Sequence, residues 1–167
     1  GWSFGAFVLL DFALNHPEQV RSLTLIEPPA FWILKAQAQP NAELQNSMDF
    51  LKSLTGDISE SQLEKFMLNV GLGPPGTSVK DHPQWDSWVK YRRSLRNSRM
   101  VIMHDDDLSR LKGFDKPILL VKGTGSAPFL HEIIDLLYQH LPRAKVVELA
   151  GGHAPHIVSR KEFMQMA

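Results

Sequence analysis

The stretch GWSFG (residues 1–5) opens the chain and is followed by a mostly apolar run that ends at NHP (residues 15–17). Gly-x-Ser-x-Gly is the sequence form of a nucleophile elbow, a tight turn from a strand into a helix that exposes a serine hydroxyl. Glycines at both ends would let strand and helix approach closely, because glycine has no Cβ. The apolar run predicts the helix, which the proline ends. We therefore expect Ser3 to be a nucleophile and, because the strand would lie upstream of residue 1, the chain to be a piece of a longer protein.

The composition limits the classes of partner. Lys and Arg number 18, as do Asp and Glu, so the protein has no net charge to attract nucleic acid or an anionic membrane surface. We expect a small-molecule substrate, with neither a nucleic-acid nor a membrane partner. The absence of cysteine excludes a disulfide, a thiolate nucleophile and a Cys-based zinc site. It is compatible with a cytoplasmic location, which we expect.

Three short runs have the pattern of buried strands: residues 20–28, 116–123 and 144–152. Each is rich in branched apolar residues and ends in Gly or Pro. Between the second and third runs, apolar residues at helical spacing predict a helix that buries Leu130, Ile133, Ile134, Leu137 and Leu141. The spacing strand, helix, strand is typical of a parallel sheet, so the fold class is α/β.

Residues 31–107 have a different pattern, with amphipathic helical segments separated by breaks rich in Gly and Pro. We interpret this part as a helical cap over the strand ends, and residues 1–30 and 108–167 as the sheet-containing core. Ser59 and Gln62 could form a capping box. Aromatic residues of the cap either line an apolar pocket or only pack the cap on the sheet. We expect Trp2 of the elbow and Trp32 of the cap to contact substrate.

The loop after the third strand run, GGHAPH (residues 151–156), supplies a candidate base. Ligands of open α/β sheets meet the loops at the carboxyl ends of strands. His153 lies directly past such an end, and His156 follows three residues later. A serine early and a histidine late, each just past a strand, is the order nucleophile, then base. His153 is therefore the predicted base, with His156 as the alternative.

Together, GWSFG, LTLIEPP, the helical insertion, PILLVKG and GGHAPH resemble the C-terminal portion of the α/β-hydrolase superfamily. The resemblance implies a sheet of eight strands, mostly parallel, of which the last three are present here. It implies that Ser3 attacks a carbonyl carbon, that His153 accepts the serine proton, and that the backbone N–H of Phe4 forms half of an oxyanion hole. It implies no cofactor and no metal.

The acid of the triad is missing from its usual place. Most members of the superfamily have an Asp after the penultimate strand, but the loop here is GTGSAPFLHE (residues 123–132), without a carboxylate before Glu132. Glu27 is the nearest substitute, because it ends the strand that follows the elbow helix and two neighbouring strand ends can both reach the histidine. Certain haloalkane dehalogenases take their acid from that strand end. The alternative is that Glu27 only braces the loop before Pro28.

Three other stretches favour structural roles. Asp105, Asp106 and Asp107 precede a strand and are expected to cap a helix, and His104 beside them has no evident second set of metal ligands. GLGPPG (residues 71–76) lacks the Lys-Ser/Thr of a phosphate loop and indicates a hinge or turn. The basic run at residues 88–99 is interpreted as a solvated helix face, with recognition of an anionic substrate group as the alternative.

Two functions remain open from the sequence. The leading hypothesis is a serine hydrolase acting on an ester, thioester, lactone or activated carbon–carbon bond, since all four begin with nucleophilic attack and an oxyanion. Haloperoxidase-like members keep the same triad, so that side activity also remains open. The rival is a ligand-binding relative that kept the fold and lost catalysis. We further expect that the 167-residue chain alone is inactive and prone to aggregate, because it lacks one oxyanion donor and leaves a strand edge unpaired.

Overall fold

The computed structural model describes residues 1–36, 42–73 and 78–166. Its helices and strands follow in the order α1 (Phe4–Asn15), β1 (Leu23–Ile26), α2 (Phe31–Lys35), α3 (Ala42–Ser53), α4 (Glu60–Asn69), α5 (Trp85–Tyr91), α6 (Ser98–Met103), α7 (Leu108–Gly113), β2 (Ile118–Gly123), α8 (Pro128–His140), β3 (Ala144–Leu149), α9 (Pro155–Val158) and α10 (Arg160–Met164). Short 3₁₀ turns cover Pro17–Gln19, Val79–Asp81 and Arg92–Asn97. No helix in these ranges is long and apolar enough to cross a membrane.

The three predicted strands are confirmed and form a parallel sheet in the order β1-β2-β3. Leu23 pairs with Ile118, which in turn pairs with Ala144, so the three strands begin in step and end at the same edge. Trp2 forms a parallel bridge with Ile26 on the other side of β1. The elbow serine therefore follows a strand-like segment, as the motif requires, and lies at the same edge as the ends of β1, β2 and β3.

Helices cover both faces of the sheet. Side chains alternate between the faces, as the strand period of two requires. One face, including Leu25 and Leu120, packs in the main core with α1 and α8. The opposite face, including Ile26, Val121 and Leu149, packs against Phe163 of α10. The five apolar residues predicted to face inward from the helix before β3 are all buried.

Helices account for the regular structure found in residues 42–73 and 78–113, between β1 and β2. The predicted capping box is confirmed, because the Ser59 side chain accepts from the Gln62 N–H and the Gln62 side chain accepts from the Ser59 N–H. The predicted basic helical run is divided by the 3₁₀ turn at Arg92–Asn97. The division into a core and a cap stays a prediction, but this helical segment lies against the strand ends through Gly71, as described below.

Candidate active site

Ser3 lies on a strained turn directly before α1. Its φ is +52°, a left-handed conformation that non-glycine residues rarely adopt, and its N–H donates to Ile26 O at 2.9 Å. A Cβ added to Gly1 would lie 2.8 Å from Gly5 O, so the first glycine permits the close approach that the motif predicts. At Gly5 an added Cβ would meet no described atom within 4 Å. The close approach therefore depends on Gly1 and not on Gly5.

His153 is buried, with 3% of its surface exposed, and its ring joins the other two predicted residues. Nε2 lies 2.8 Å from Ser3 Oγ, and Nδ1 lies 2.7 Å from Glu27 Oε2. The backbone of His153 is held on both sides, because its N–H donates to Gly71 O at 3.1 Å and its C=O accepts from Trp2 Nε1 at 2.6 Å. The structure thus brings together the three residues that the sequence predicted as a triad.

Glu27 is fully buried and its backbone is also strained, with a φ of +47°. Its N–H continues the ladder to Val121 O at 3.1 Å, while its side chain turns toward the loop that follows β2. Oε1 accepts from the Gly123 N–H at 2.7 Å and from the Ser126 hydroxyl, and Oε2 faces His153. A buried carboxylate is tolerated only when its oxygens are satisfied, and here both are.

The pairing around His153 determines which nitrogen carries a proton. A carboxylate can only accept, so Nδ1 is the protonated nitrogen and Nε2 presents its lone pair to the Ser3 hydroxyl. In that tautomer His153 can take the hydroxyl proton as Ser3 attacks, and the buried charge of Glu27 stabilises the imidazolium that results. The arrangement is therefore competent for nucleophilic catalysis by serine.

The alternative base, His156, forms no hydrogen bond with Ser3 among the contacts of the described residues. Its ring lies against Trp2, with centroids 5.2 Å apart, and its Nδ1 is buried with no hydrogen-bond partner among the described residues. Burial lowers the pKa of His156, and the positive charge that His153 can carry lowers it further. His156 therefore packs beside Trp2 of the elbow, and His153 is the residue placed to act as base.

Phe4, the predicted oxyanion donor, is the first residue of α1. The N–H groups of a first helical turn have no acceptor within the helix and lie at the positive end of its dipole. Phe4 also lines the same cavity as Ser3 and His153. Its N–H is thus a donor without a helical partner beside the serine, as an oxyanion hole requires, and its role stays a prediction.

A mainly apolar cavity of about 60 Å³ opens onto Ser3 and His153. Residues from both the sheet-bearing part and the helical insertion line it, among them Phe31, Phe50, Leu51, Phe66, Val101, Phe129 and Leu130. A second cavity of about 490 Å³ shares Ser47, Asn69 and Phe129 with the first and extends along the loop after β2. A substrate with an apolar part could therefore be held directly beside the serine.

The two tryptophans expected to contact substrate, Trp2 and Trp32, are not among the residues that line the cavity beside Ser3. Trp32 is 2% exposed and belongs to the main core, because α2 directs the adjacent Phe31 to the cavity and Trp32 away from it. Trp2 is 37% exposed and hydrogen-bonds the His153 carbonyl, outside the cavity lining. Contact of either tryptophan with substrate stays a prediction. Phe31, which is next to Trp32 on α2, lines the cavity instead. The sequence alone does not show which of two adjacent aromatic residues on a short helix faces the cavity.

The acidic stretch before α7 serves mainly to cap and pair. The Asp107 side chain accepts from the Ser109 N–H at 2.8 Å, which confirms the predicted helix cap. This hydrogen bond also lowers the pKa of Asp107. Asp106 forms a bidentate pair with Arg110 at 2.7 and 2.8 Å. Asp11, His104 and Asp106 have possible metal-ligand atoms within 4.8 Å of one another. The Arg110 guanidinium, however, already pairs with the Asp106 carboxylate, where a metal ion would need to bind.

Two further stretches can be compared with their predicted roles. Arg92 donates to the backbone carbonyls of Ile58 and Val89, which is a structural role, whereas Arg93 is an exposed residue paired with Asp57. Of the predicted turn at residues 71–76, residues 74–76 lie outside the described residues. Gly71 ends the α4 segment with a φ of +81°, which a turn at this position requires.

Three glycines join the helical segment to the loops of the site. The carbonyl oxygen of Gly71 that accepts from His153 would lie 1.8 Å from a Cβ added to Gly152, and Gly125 O would lie 2.9 Å from a Cβ added to Gly71. Only a backbone without side chains fits this contact. The position of the histidine loop is therefore tied to the end of α4.

Replacing Gly152 by Ala is expected to destabilise the protein by about 1–3 kcal/mol, because the new methyl group overlaps the Gly71 carbonyl and forces the two segments apart. Urea unfolding measures the change. Gly5→Ala is the matched control: its methyl group meets no described atom, and alanine in α1 should add a few tenths of a kcal/mol to about 1 kcal/mol of stability. Equal midpoints for Gly152→Ala and the unaltered protein would contradict the close contact.

Comparison with known proteins places this geometry in a family. The model of the alpha/beta hydrolase fold family matches residues 1–159. A pimeloyl-[acyl-carrier protein] methyl ester esterase of Nitrosomonas europaea is 24% identical, over 98% of this chain and 67% of the relative. The protein of the same name from Shewanella woodyi is 28% identical, over 98% of this chain and 66% of the relative. The chain thus spans about two thirds of the length of these relatives.

Solved structures show the same fold. An esterase from Exiguobacterium antarcticum superposes with a TM-score of 0.69 at 16% identity, covering 99% of this chain and 63% of that one. Such low identity supports the fold alone, whereas the family match includes the elbow, the three strands and the histidine loop. The chain belongs to the α/β-hydrolase fold family.

Proposed function

We propose that the protein is a serine esterase that hydrolyses carboxylic esters with an apolar acyl part. The observation that carries the proposal is the continuous hydrogen-bonded series Ser3–His153–Glu27, which opens onto an apolar cavity. A histidine, a serine and a carboxylate joined in this order are what nucleophilic catalysis by serine needs.

The reaction follows from the positions of these groups. Ser3 Oγ attacks the ester carbonyl carbon while its proton passes to His153 Nε2, and the oxyanion that forms is stabilised by the Phe4 N–H. The carbon–oxygen bond to the alcohol then breaks, and His153 returns the proton to the departing alcohol. Water, deprotonated by His153, then attacks the acyl carbon; the bond to Ser3 Oγ breaks, His153 returns the proton to that oxygen, and the acid is released. The proton taken from Ser3 leaves with the alcohol and the proton taken from water returns to Ser3, so the free enzyme is regenerated and no cofactor enters.

The substrate class follows from the cavity and from the relatives. The cavity beside Ser3 is mainly apolar, which favours a hydrocarbon acyl chain over a charged group. The curated relatives are named for a methyl ester, which has a small alcohol part. We therefore propose simple alkyl esters of medium-length acyl chains as substrates, ahead of lactones and carbon–carbon bonds.

A non-catalytic ligand-binding protein is the second candidate. Its main support in the sequence is the missing acid after the penultimate strand. The 2.7 Å contact between Glu27 and His153 argues against it, because a carboxylate that only braced the following loop would have no need to reach the histidine ring. The esterase is therefore the function that the geometry supports best.

Covalent labelling of the complete protein with a fluorophosphonate tests the proposal, with the modified peptide located by mass spectrometry. An activated serine should react, and the label should lie on Ser3 rather than on Ser47 or Ser98, which line the same cavity and have no hydrogen bond to a histidine among the described residues. Hydrolysis of p-nitrophenyl esters of increasing acyl length should accompany labelling. A folded protein that takes up no label would refute the esterase and favour the ligand-binding protein.

A further inference from the structure

The loop between β2 and α8 holds Glu27 although it carries no acid of its own. Two donors from this segment, the Gly123 N–H and the Ser126 hydroxyl, both bind Oε1. They leave Oε2 as the oxygen that faces His153 Nδ1. The segment that lacks the usual acid thus supplies the hydrogen bonds that orient the substitute.

Glu27 needs such orientation for two reasons. The last torsion of a glutamate side chain is soft, so the plane of its carboxylate is not fixed by the side chain itself. Glutamate also has one more rotatable bond than the aspartate that most of the superfamily uses. Donors on Oε1 fix the rotation of the carboxylate and thereby the direction of Oε2 toward His153.

The loop is itself well fixed. The Ser126 N–H donates to Gly123 O at 3.2 Å, and the same carbonyl accepts from His131 Nε2 at 2.7 Å. The Gly123 N–H is a backbone group, so the donor would remain whatever side chain stood at residue 123. Ser126 is therefore the one side chain among the described residues whose identity determines how Oε1 is held.

We infer that Ser126 is a positioning residue, which acts on the reaction through Glu27 and does not touch the reacting atoms. The inference rests on the proposed function, in which Glu27 orients His153. A competing role exists, because Ser126 also lines the second cavity and could contact substrate there. The two roles differ in what they predict for kcat, for KM and for the dependence on Glu27.

Steady-state kinetics on a p-nitrophenyl ester separates the two roles. Ser126→Ala should lower kcat about tenfold and leave KM within about twofold, because one of two hydrogen bonds to a charged carboxylate is lost. Ser126→Thr keeps the hydroxyl and should recover most of kcat. Thr124→Ala removes a hydroxyl from an exposed side chain of the same loop and should change neither constant. A rise in KM with kcat unchanged would overturn the inference in favour of substrate contact.

A double-mutant cycle tests whether Ser126 acts through Glu27. In a Glu27→Gln background, Ser126→Ala should lower kcat by less than about twofold, because the group that Ser126 orients no longer functions. If the tenfold loss persisted in that background, Ser126 would act independently of Glu27 and the inference would be wrong.

A spectroscopic measurement distinguishes failure of this inference from failure of the proposed function. The proton that His153 Nδ1 shares with the buried Glu27 should give a low-field ¹H resonance, whether or not the protein hydrolyses esters. Ser126→Ala should shift or broaden it, and Thr124→Ala should not. If Ser126→Ala does not fold, Ser126→Cys serves, since a thiol of similar shape is a weak donor. If neither Ser126→Ala nor Ser126→Cys changed the position or width of this resonance, the inference would be wrong even in an active esterase.

Discussion

Replacing Ser3 by Ala is expected to lower kcat for ester hydrolysis by roughly 10⁴-fold or more and to abolish fluorophosphonate labelling. The change removes the oxygen that lies 2.8 Å from His153 Nε2 and with it the acyl-enzyme. What remains is the oxyanion donor and the cavity, which together give only a small residual rate. Stopped-assay measurement of product at high protein concentration quantifies the loss.

Ser47→Ala is the matched control for this experiment. Ser47 lines the same cavity and is half-buried, and its replacement by Ala also removes a hydroxyl oxygen. It lies on α3, and no hydrogen bond to His153 is among its contacts, so kcat should stay within about threefold of the unaltered protein. If Ser3→Ala kept its turnover while Ser47→Ala lost it, the nucleophile would be misassigned, and full turnover in both variants would remove the esterase proposal.

The residues at strand ends could be placed from sequence because strand periodicity and parallel order determine where strands end. Branched apolar runs predicted β1, β2 and β3, and parallel strands bring their carboxyl ends to one edge. Ser3 and Glu27 directly follow strand-like segments and His153 lies in the loop after β3, so their proximity required no knowledge of side-chain conformation. The same argument favoured His153 over His156, since His153 lies nearer to the predicted end of the strand.

The remaining parts of the site depend on tertiary contacts that local patterns do not contain. Ser126 lies in a loop without an acid, and nothing in the sequence GTGSAP shows that its hydroxyl donates to a carboxylate that follows a different strand. The carbonyl of Gly71, on the helical segment, accepts from the His153 N–H across a separation of 82 residues (153 − 71). Trp32 was assigned to the substrate from its residue type, whereas its direction from α2 is set by core packing.

Replacing Glu27 by Gln is the second change expected to have a large effect, with a fall in kcat of about 10³–10⁴-fold. The glutamine amide has the shape of the carboxylate but contains one donor group. Oε1 receives two hydrogen bonds, from the Gly123 N–H and the Ser126 hydroxyl, so the amide oxygen should occupy that position. The amide NH₂ must then face His153 Nδ1, where the carboxylate accepted a proton.

That reversal forces the wrong tautomer on the base. With a donor against Nδ1, the imidazole carries its proton on Nε2, which points at Ser3 Oγ and can no longer accept the hydroxyl proton. Ser3 stays in place, so fluorophosphonate labelling should slow greatly without changing its site. KM should change little, because Glu27 is buried and does not line the cavity.

Glu132→Gln is the control for the charge change, since Glu132 is the exposed carboxylate that follows β2 in the chain. Its kcat should be unaffected. Both variants are compared by kcat, labelling rate and unfolding midpoint. If Glu27→Gln folded and kept kcat within about threefold, the base would be oriented without Glu27. Glu27 would then be a structural residue of the loop before Pro28, held by Gly123 and Ser126 for stability alone.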